Sequence, residues 1–356
     1  MMNTGLPPGQ AASRRPTERC SVIPTDDPCV HAASLRDWMQ DYLQLSAGRF
    51  LGEIIETTIG PIQIFRETIW QCVDEKANPR RNSYTVGVPV YMEEGGYWQG
   101  YRVARDSLMM LRPNEELHFR TPKKSTILVV VIDRDVFDAF ARDTTGRDAP
   151  LPISGSCTRE LPEAVARPLR VSLKEVLSSA VSTPEVLEHE GSMKAMVETI
   201  LSAVLHAVLA CSAESEAARS SHFVQRAIVE RARQYVLANR ESPPTVTELS
   251  AWLKMSRRGL HHAFMNVLGI NVVTFLRYVR LHGARKDLLL AGPEDSVNGI
   301  ACKWGFWHMG MFSAYYKALF GELPSATLRK TSCISTTPGH WMGAARPGAG
   351  QAIQLP

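Results

Sequence analysis

Between about residues 50 and 132, apolar and polar positions alternate in short runs. "GEIIETTIG", "IQIFRETIW", "YTVGVPVYM", "GYWQGYRV", "SLMML" and "TILVVVI" are separated by turn clusters such as "EEGG" and "RPNEE". Period-two alternation over so few residues marks strands with one face on a core. Their number and spacing predict a small barrel or sandwich, and we assign 50–132 to a β-barrel. The period then lengthens. A short helix is expected at 134–141 and longer ones near 161–180 and 184–211. In the last of these, Val197, Leu201, Val204, Leu205, Val208 and Leu209 recur at helical spacing. That stripe suits packing either on the barrel or on a second subunit.

From 222 to 330 the pattern is helical throughout. A helix at 222–240 is stopped by "ESPP", and Thr245 or Thr247 caps a short helix carrying Val246, Leu249 and Trp252. Ser256 caps the next, which ends at Gly269. Asn271 caps a long helix through Leu290, and Ser296 caps another short one through Lys303. Residues 1–45 and 331–356 lack periodicity and read as flexible tails, and 212–221 ("SAESEAARSS") as a linker between a 46–211 domain and a 222–330 domain. The expected class is α+β: a β-barrel with flanking helices, then an all-α domain.

Composition changes this picture in one respect. A chain of 356 residues, 44% apolar and 21% charged, suits a soluble globular protein of roughly two domains. Its formal charge of +4 is unevenly placed, because 222–330 holds 15 Lys and Arg against 7 Asp and Glu while the remainder is mildly acidic. A basic C-terminal third points to a polyanionic partner. The seven cysteines are scattered and odd in number, with no Cys-x-x-Cys pair, which speaks for a reducing compartment rather than a disulfide framework or a zinc site. The N-terminal stretch lacks the apolar core of a signal peptide, and the run "ILSAVLHAVLAC" reads as too short and interrupted to span a membrane. A cytoplasmic protein is expected.

The C-terminal domain repeats. Leu260, Phe264, Leu268 and Gly269 each have a counterpart 52 residues on, at Phe312, Tyr316, Phe320 and Gly321. Short helix, turn, capped second helix, glycine stop: the unit occurs twice, and it is the helix-turn-helix plan, whose second helix enters a DNA major groove. At helical spacing Leu260, Phe264, Val267 and Leu268 share one face of the first such helix, and Arg258, His261, His262 and Met265 the other. Arginine donates two hydrogen bonds to guanine, and histidine bonds to a base or phosphate. Ser256, Arg257 and the helix N-terminus suit phosphate. In "WGFWHMGMFSAYYKALFGELPSATLR", Gly305 permits the turn, Phe306, Phe312, Tyr316, Leu319 and Phe320 pack the second unit, and Pro324 opens a closing helix. His308, Met309, Ser313 and Lys317 remain as its DNA-facing candidates.

Residues 222–330 resemble the DNA-binding domain of the AraC/XylS family of bacterial transcription regulators. The resemblance rests on "VTELSAWLKMSRRGLHHAFMNVLGINVVTFLRYVRLHGARKDLL" and "VNGIACKWGFWHMGMFSAYYKALFGELPSATLR", with "SRRGLHHAF" and "WGFWHMGMF" most similar to the branch containing the ethanolamine-operon activator. It implies a sequence-specific regulator of double-stranded promoter DNA, an activator that contacts RNA polymerase, a small-molecule effector and a homodimer. By position Arg258, His261 and His262 match the family's base-reading sites; Gly259, where relatives often carry a larger residue, departs from it. The resemblance also implies a cupin-like N-terminal domain, which "SLMMLRPNEELHFR" resembles.

In that domain Trp70, Tyr84, Tyr91, Trp98 and Tyr101 are candidates to line an effector pocket, with Arg66 and Arg112 as polar anchors. Core packing is the competing role for each. His118 has only the scattered His31, His189 and His206 as histidine company in this half, so neither a metal nor another cofactor is expected. Enzymatic loops such as a Walker motif or nucleophile elbow do not occur in the sequence. The alternatives are a cupin-type metalloenzyme fused to a helical domain, and a constitutive DNA binder without an effector.

Overall fold

The computed structural model describes residues 20–146, 157–211, 219–240 and 242–334. Its N-terminal half runs β1 (Cys20–Thr25), α1 (Pro28–Ala32), β2 (Met39–Gln44), β3 (Gly52–Ile59), β4 (Ile62–Ile69), β5 (Val73–Asn78), β6 (Ser83–Met92), β7 (Gly96–Trp98), β8 (Tyr101–Val103), β9 (Ser107–Leu111), β10 (Leu117–Arg120), β11 (Ser125–Asp133), α2 (Arg134–Thr145), β12 (Cys157–Glu160), α3 (Glu163–Ser182) and α4 (Glu190–Ala210). The strands form two open sheets, not the closed barrel expected from their spacing. One has the order β1-β3-β4-β11-β6-β9-β12 and the other β2-β5-β10-β7-β8. They face each other as a sandwich over Ile54, Phe65, Trp98, Met109, Leu111, Phe119, Ile127, Val129 and Val131, drawn from both sheets. Strand length and alternation are common to barrels and sandwiches; pairing alone tells them apart.

Strand β11 explains its own sequence. Ile127, Val129 and Val131 point between the sheets, while Leu128, Val130 and Ile132 point outward into a second core roofed by α2, α3 and α4. Buried on both faces, the strand reads as an unbroken apolar run. The stripe of α4 packs here: Leu201, Val204, Leu205 and Val208 are buried against the seven-stranded sheet and α3. At 21 residues α4 is long and apolar enough to cross a membrane by length and composition, unlike the interrupted run read from the sequence.

Residues 20–45 are not a tail. β1 pairs with β3 from Cys20↔Thr57 to Thr25↔Gly52, and β2 pairs with β5 from Met39↔Asn78 to Gln44↔Val73. "CSVIPT" and "MQDYLQ" lack clean alternation, so their extended form depends on the partners that supply the ladder. The expected tail at 1–19, most of the linker and residues 335–356 lie outside the described residues.

The C-terminal half contains α5 (Arg219–Ala238), α6 (Val246–Trp252), α7 (Arg257–Leu268), α8 (Val272–Leu289), α9 (Val297–Lys303), α10 (Met309–Phe320) and α11 (Pro324–Ile334). Thr245 and Glu248 form a reciprocal capping box on α6. Ser256, Asn271 and Ser296 accept the third amide of α7, α8 and α9 at 3.1, 2.9 and 3.1 Å. Gly269 and Gly321 close α7 and α10 in the left-handed region, at φ 69° and 75°. Two cores result, one around Phe264 and Phe275 and one around Phe312 and Tyr316, with α8 crossing both.

The two halves dock through the outer face of the five-stranded sheet. Leu43 and Leu45 enter the core of the first helical unit. Arg226 pairs with Asp74 at 2.6 Å, Arg233 with Asp41 at 2.6 Å and Lys76 with Glu230 at 2.8 Å. Buried Arg285 donates through Nε to Asp27 at 2.6 Å, and Asp27 meanwhile caps α1. His282 Nε2 accepts the Gln44 amide at 2.8 Å.

Candidate nucleic-acid interface

Helix α7 is steered by its Ser256 cap and by Leu260, Ala263, Phe264, Val267 and Leu268 on its buried face. The opposite face, carrying Arg258, His261, His262 and Met265, is exposed. Arg257 is exposed too, but its guanidinium donates to Thr247 Oγ1 at 2.6 Å, tying the start of α7 to α6. His262 lies 3.2 Å from the Asn266 amide, and Asn266 also donates to Gln225. Arg258, His261 and His262 are donors held about one turn apart beside apolar Met265, a set suited to reading base edges in a major groove.

Helix α10 presents a different surface. His308 is its N-cap, Nδ1 accepting the Met311 amide at 3.3 Å, so one ring nitrogen is engaged in shaping the helix. Met309 and Ser313 are half-buried, whereas Gly310, Met311, Ala314 and Lys317 are exposed. The sequence treated the aromatics of this segment mainly as core. Trp304, Phe306, Phe312, Tyr316 and Phe320 are buried, but Trp307 is 87% exposed directly before the cap. Its place ahead of the cap, off the helical repeat, is the signal that would have found it. Arg277 lies 4.1 Å over the Tyr315 ring and Arg280 4.7 Å over Phe306, so these cations of α8 brace the second unit.

The seven effector candidates are not brought together. Trp98 is 1% exposed between the sheets and donates to the Met110 carbonyl at 3.1 Å. Tyr84, bonded to Asp138, and Tyr101 pack on the helix-covered face. Trp70 and Tyr91 are surface residues, Tyr91 lying under Lys124. Arg66 pairs with Glu53 at 2.7 Å, and Arg112 is exposed beyond β9.

A polar cluster lies between the sheets instead. Tyr42 and His31 Nε2 meet Glu67 Oε1 at 2.6 and 2.9 Å; Gln40 donates to Glu75 at 3.0 Å and Gln63 to Glu56 at 2.8 Å. Burial drives the carboxyls of Glu75 and Glu56 above the usual range. Glu75 Oε2 has no hydrogen-bond partner, whereas Glu56 Oε2 faces Arg36 Nε at 3.8 Å. The clue was present in the pattern: Glu56 shares a strand face with Ile54, and Gln63 and Glu67 share one with Phe65. No group of His, Cys, Asp and Glu able to hold a metal occurs among the described residues.

Comparison with known proteins identifies the helical half. A helix-turn-helix domain model matches residues 249–330. The chain is 30% identical over 281 residues to the "Probable thc operon regulatory protein" of Rhodococcus erythropolis, covering 76% of this chain and 83% of that one. It is 31% identical over 112 residues to the "XylDLEGF operon transcriptional activator 2" of Pseudomonas putida, covering 30% of this chain and 70% of that one. Among solved structures, the AraC-like transcriptional activator CuxR aligns with 15% identity over 80% of this chain and 99% of its own, at a TM-score of 0.37. The chain belongs to the AraC/XylS family and is a DNA-binding transcription regulator. None of these three matches singles out the ethanolamine-operon branch.

Proposed function

We propose that this protein is an effector-responsive activator in which a small molecule bound by the sandwich changes how α7 and α10 engage promoter DNA. The observation that carries the reading is the two-sided use of one sheet. Its inner face bears Gln40, Tyr42 and Glu75 of the polar cluster, and its outer face docks the helical domain through Asp41, Asp74 and Lys76. The buried Oε2 atom of Glu75 is left without a partner, an arrangement that costs stability, and a ligand that hydrogen-bonds to it relieves that cost. Ser256, Arg257, Arg258, His261, His262, His308, Met309, Ser313 and Lys317 are the proposed DNA contacts. Activation through RNA polymerase is proposed from likeness to relatives whose names call them operon activators. A homodimer acting in the cytoplasm, without enzymatic activity, completes the reading.

The test is a thermal-shift screen of the full chain against amines, polyols and amides, followed by DNA binding with each hit. A hit that stabilises the parent, fails on Glu75→Gln and alters DNA affinity is expected. DNA binding that no stabilising hit alters would instead favour a constitutive binder.

A further inference from the structure

The C-terminal carbonyls of a helix have no partner within the helix and carry its negative dipole end. In α7 and α10 the sandwich supplies partners for both. Arg120, the last residue of β10, donates through Nη1 to the Val267 carbonyl of α7 at 3.2 Å. The Gly48 amide donates to the Ala318 and Leu319 carbonyls of α10 at 3.1 and 3.2 Å, and Gln44 Nε2 donates to Leu319 at 2.7 Å. The glycine stops pack on the same segments, Gly269 on Arg120 itself and Gly321 on Arg49, the neighbour of Gly48. A Cβ on Gly269 would stand 2.9 Å from Arg120 Nη2, and one on Gly321 would stand 2.8 Å from the Arg49 backbone nitrogen.

The grips are adjacent in the sheet. Strand β5 lies between β2 and β10, with Gln44 opposite Val73 and Arg120 opposite Asp74. Asp74 also holds Arg226 of α5. Two consecutive residues of one strand thus sit beside the fixings of two helices on separate cores.

We propose that Gln44 and Arg120 are positioning residues that set the separation and angle between α7 and α10, making the sandwich the gauge for the spacing of the two DNA subsites. This rests on the reading that α7 and α10 enter the DNA. Helix α8 ties the two units at one place, and the sheet ties them at a second; two ties fix an angle that one leaves free. Loosening the second tie widens the range of spacings the protein accepts. It also gives a ligand between the sheets a direct lever, because Tyr42 and Glu75 lie on the same strands as Gln44 and Val73.

The test uses the full chain. Selection from a random double-stranded DNA library should give two blocks of base preference about one helical turn apart. One base pair is then inserted between them, shifting the second block by about 3.4 Å and roughly 34°. The parent should lose about tenfold or more on the inserted site, whereas Arg120→Met and Gln44→Ala should lose about threefold or less while binding the original site more weakly. Arg120→Lys, whose ammonium still reaches a carbonyl, should keep the parental ratio. General loss of stability lowers affinity for both sites together and leaves the ratio unchanged. Should Gln44→Ala fail to fold, Arg120→Met, at a half-buried position, decides the matter. A folded Arg120→Met variant with the parental ratio overturns the positioning role. A parent that selects only one block overturns the two-helix reading itself and the proposal with it.

Discussion

His282 illustrates how placement changes a side chain. Buried between the halves, with Nε2 accepting the Gln44 amide, it titrates near about 3, and burial is the leading cause. The folded state therefore holds it neutral while the unfolded chain protonates it near 6.5. Stability from this group is fully present above pH 6.5 and declines as pH falls toward 3. Relative to His282→Gln, which can still accept that amide, the parent should lose about 2 kcal/mol between pH 7 and 5, checked by denaturant unfolding at each pH. At the proposed DNA contacts chemistry should separate roles. Arg258→Ala should cost about 1–3 kcal/mol on the preferred site and relax preference at one base pair. Lys317→Ala should weaken all sequences alike and reduce the salt slope by about one. Equal base preference at the two subsites in a selection experiment would contradict this division.

Among the elements, α4 is where periodicity and partner part company. Its stripe has the width of an interface helix, but Leu201 and Leu205 lie in the core beneath it. Leu201→Glu with Leu205→Glu should then unfold the sandwich's helical roof rather than release folded monomers. Each change buries a carboxylate without a partner, and loss of cooperative melting with exposed apolar surface is the expected observation. Folded, compact double mutants of altered mass by light scattering would restore the interface reading. Helix α7 was legible to the residue at its Ser256 cap, and α7 and α10 at their glycine stops, because those signals are local; the His308 cap of α10 was read only as a DNA-facing candidate. The same glycines have a second use that local signals do not carry: each leaves room for the sandwich at a recognition-helix tail.

At the scale of the molecule, the uneven charge has two destinations. Part of the positive C-terminal third is spent internally, since Arg226, Arg233 and Arg285 pair with Asp74, Asp41 and Asp27 of the sandwich. Others, including Arg258 and Lys317, stay exposed. A fragment of 222–330 keeps its caps and both cores and should fold and bind DNA, with affinity falling steeply in salt. It should melt below the full chain, having lost Leu43 and Leu45 from its core and the partners of three arginines. Chemical denaturation of both and binding at two salt concentrations check this. A folded fragment that fails to bind DNA at low salt would place an essential contact in the sandwich.

The sequence by itself determined whatever depends on neighbours along the chain. The strand runs, Ser256, Asn271 and Ser296 as caps, a threonine cap narrowed to Thr245 or Thr247, Gly269 and Gly321 as stops, the repeat and the outward face of Arg258, His261 and His262 are set by steric and hydrogen-bonding rules acting over a few residues. Tertiary structure decided what depends on partners far along the chain. It made two sheets where spacing suggested a barrel, ordered residues 20–45 as two strands and a short helix, scattered the aromatic effector candidates and gathered Glu56, Glu67 and Glu75 instead. It also brought Gln44, Gly48 and Arg120 to helix ends about 150 to 270 residues away. Such contacts form because unpaired carbonyls and buried charges require partners, and only the folded chain settles which ones reach them.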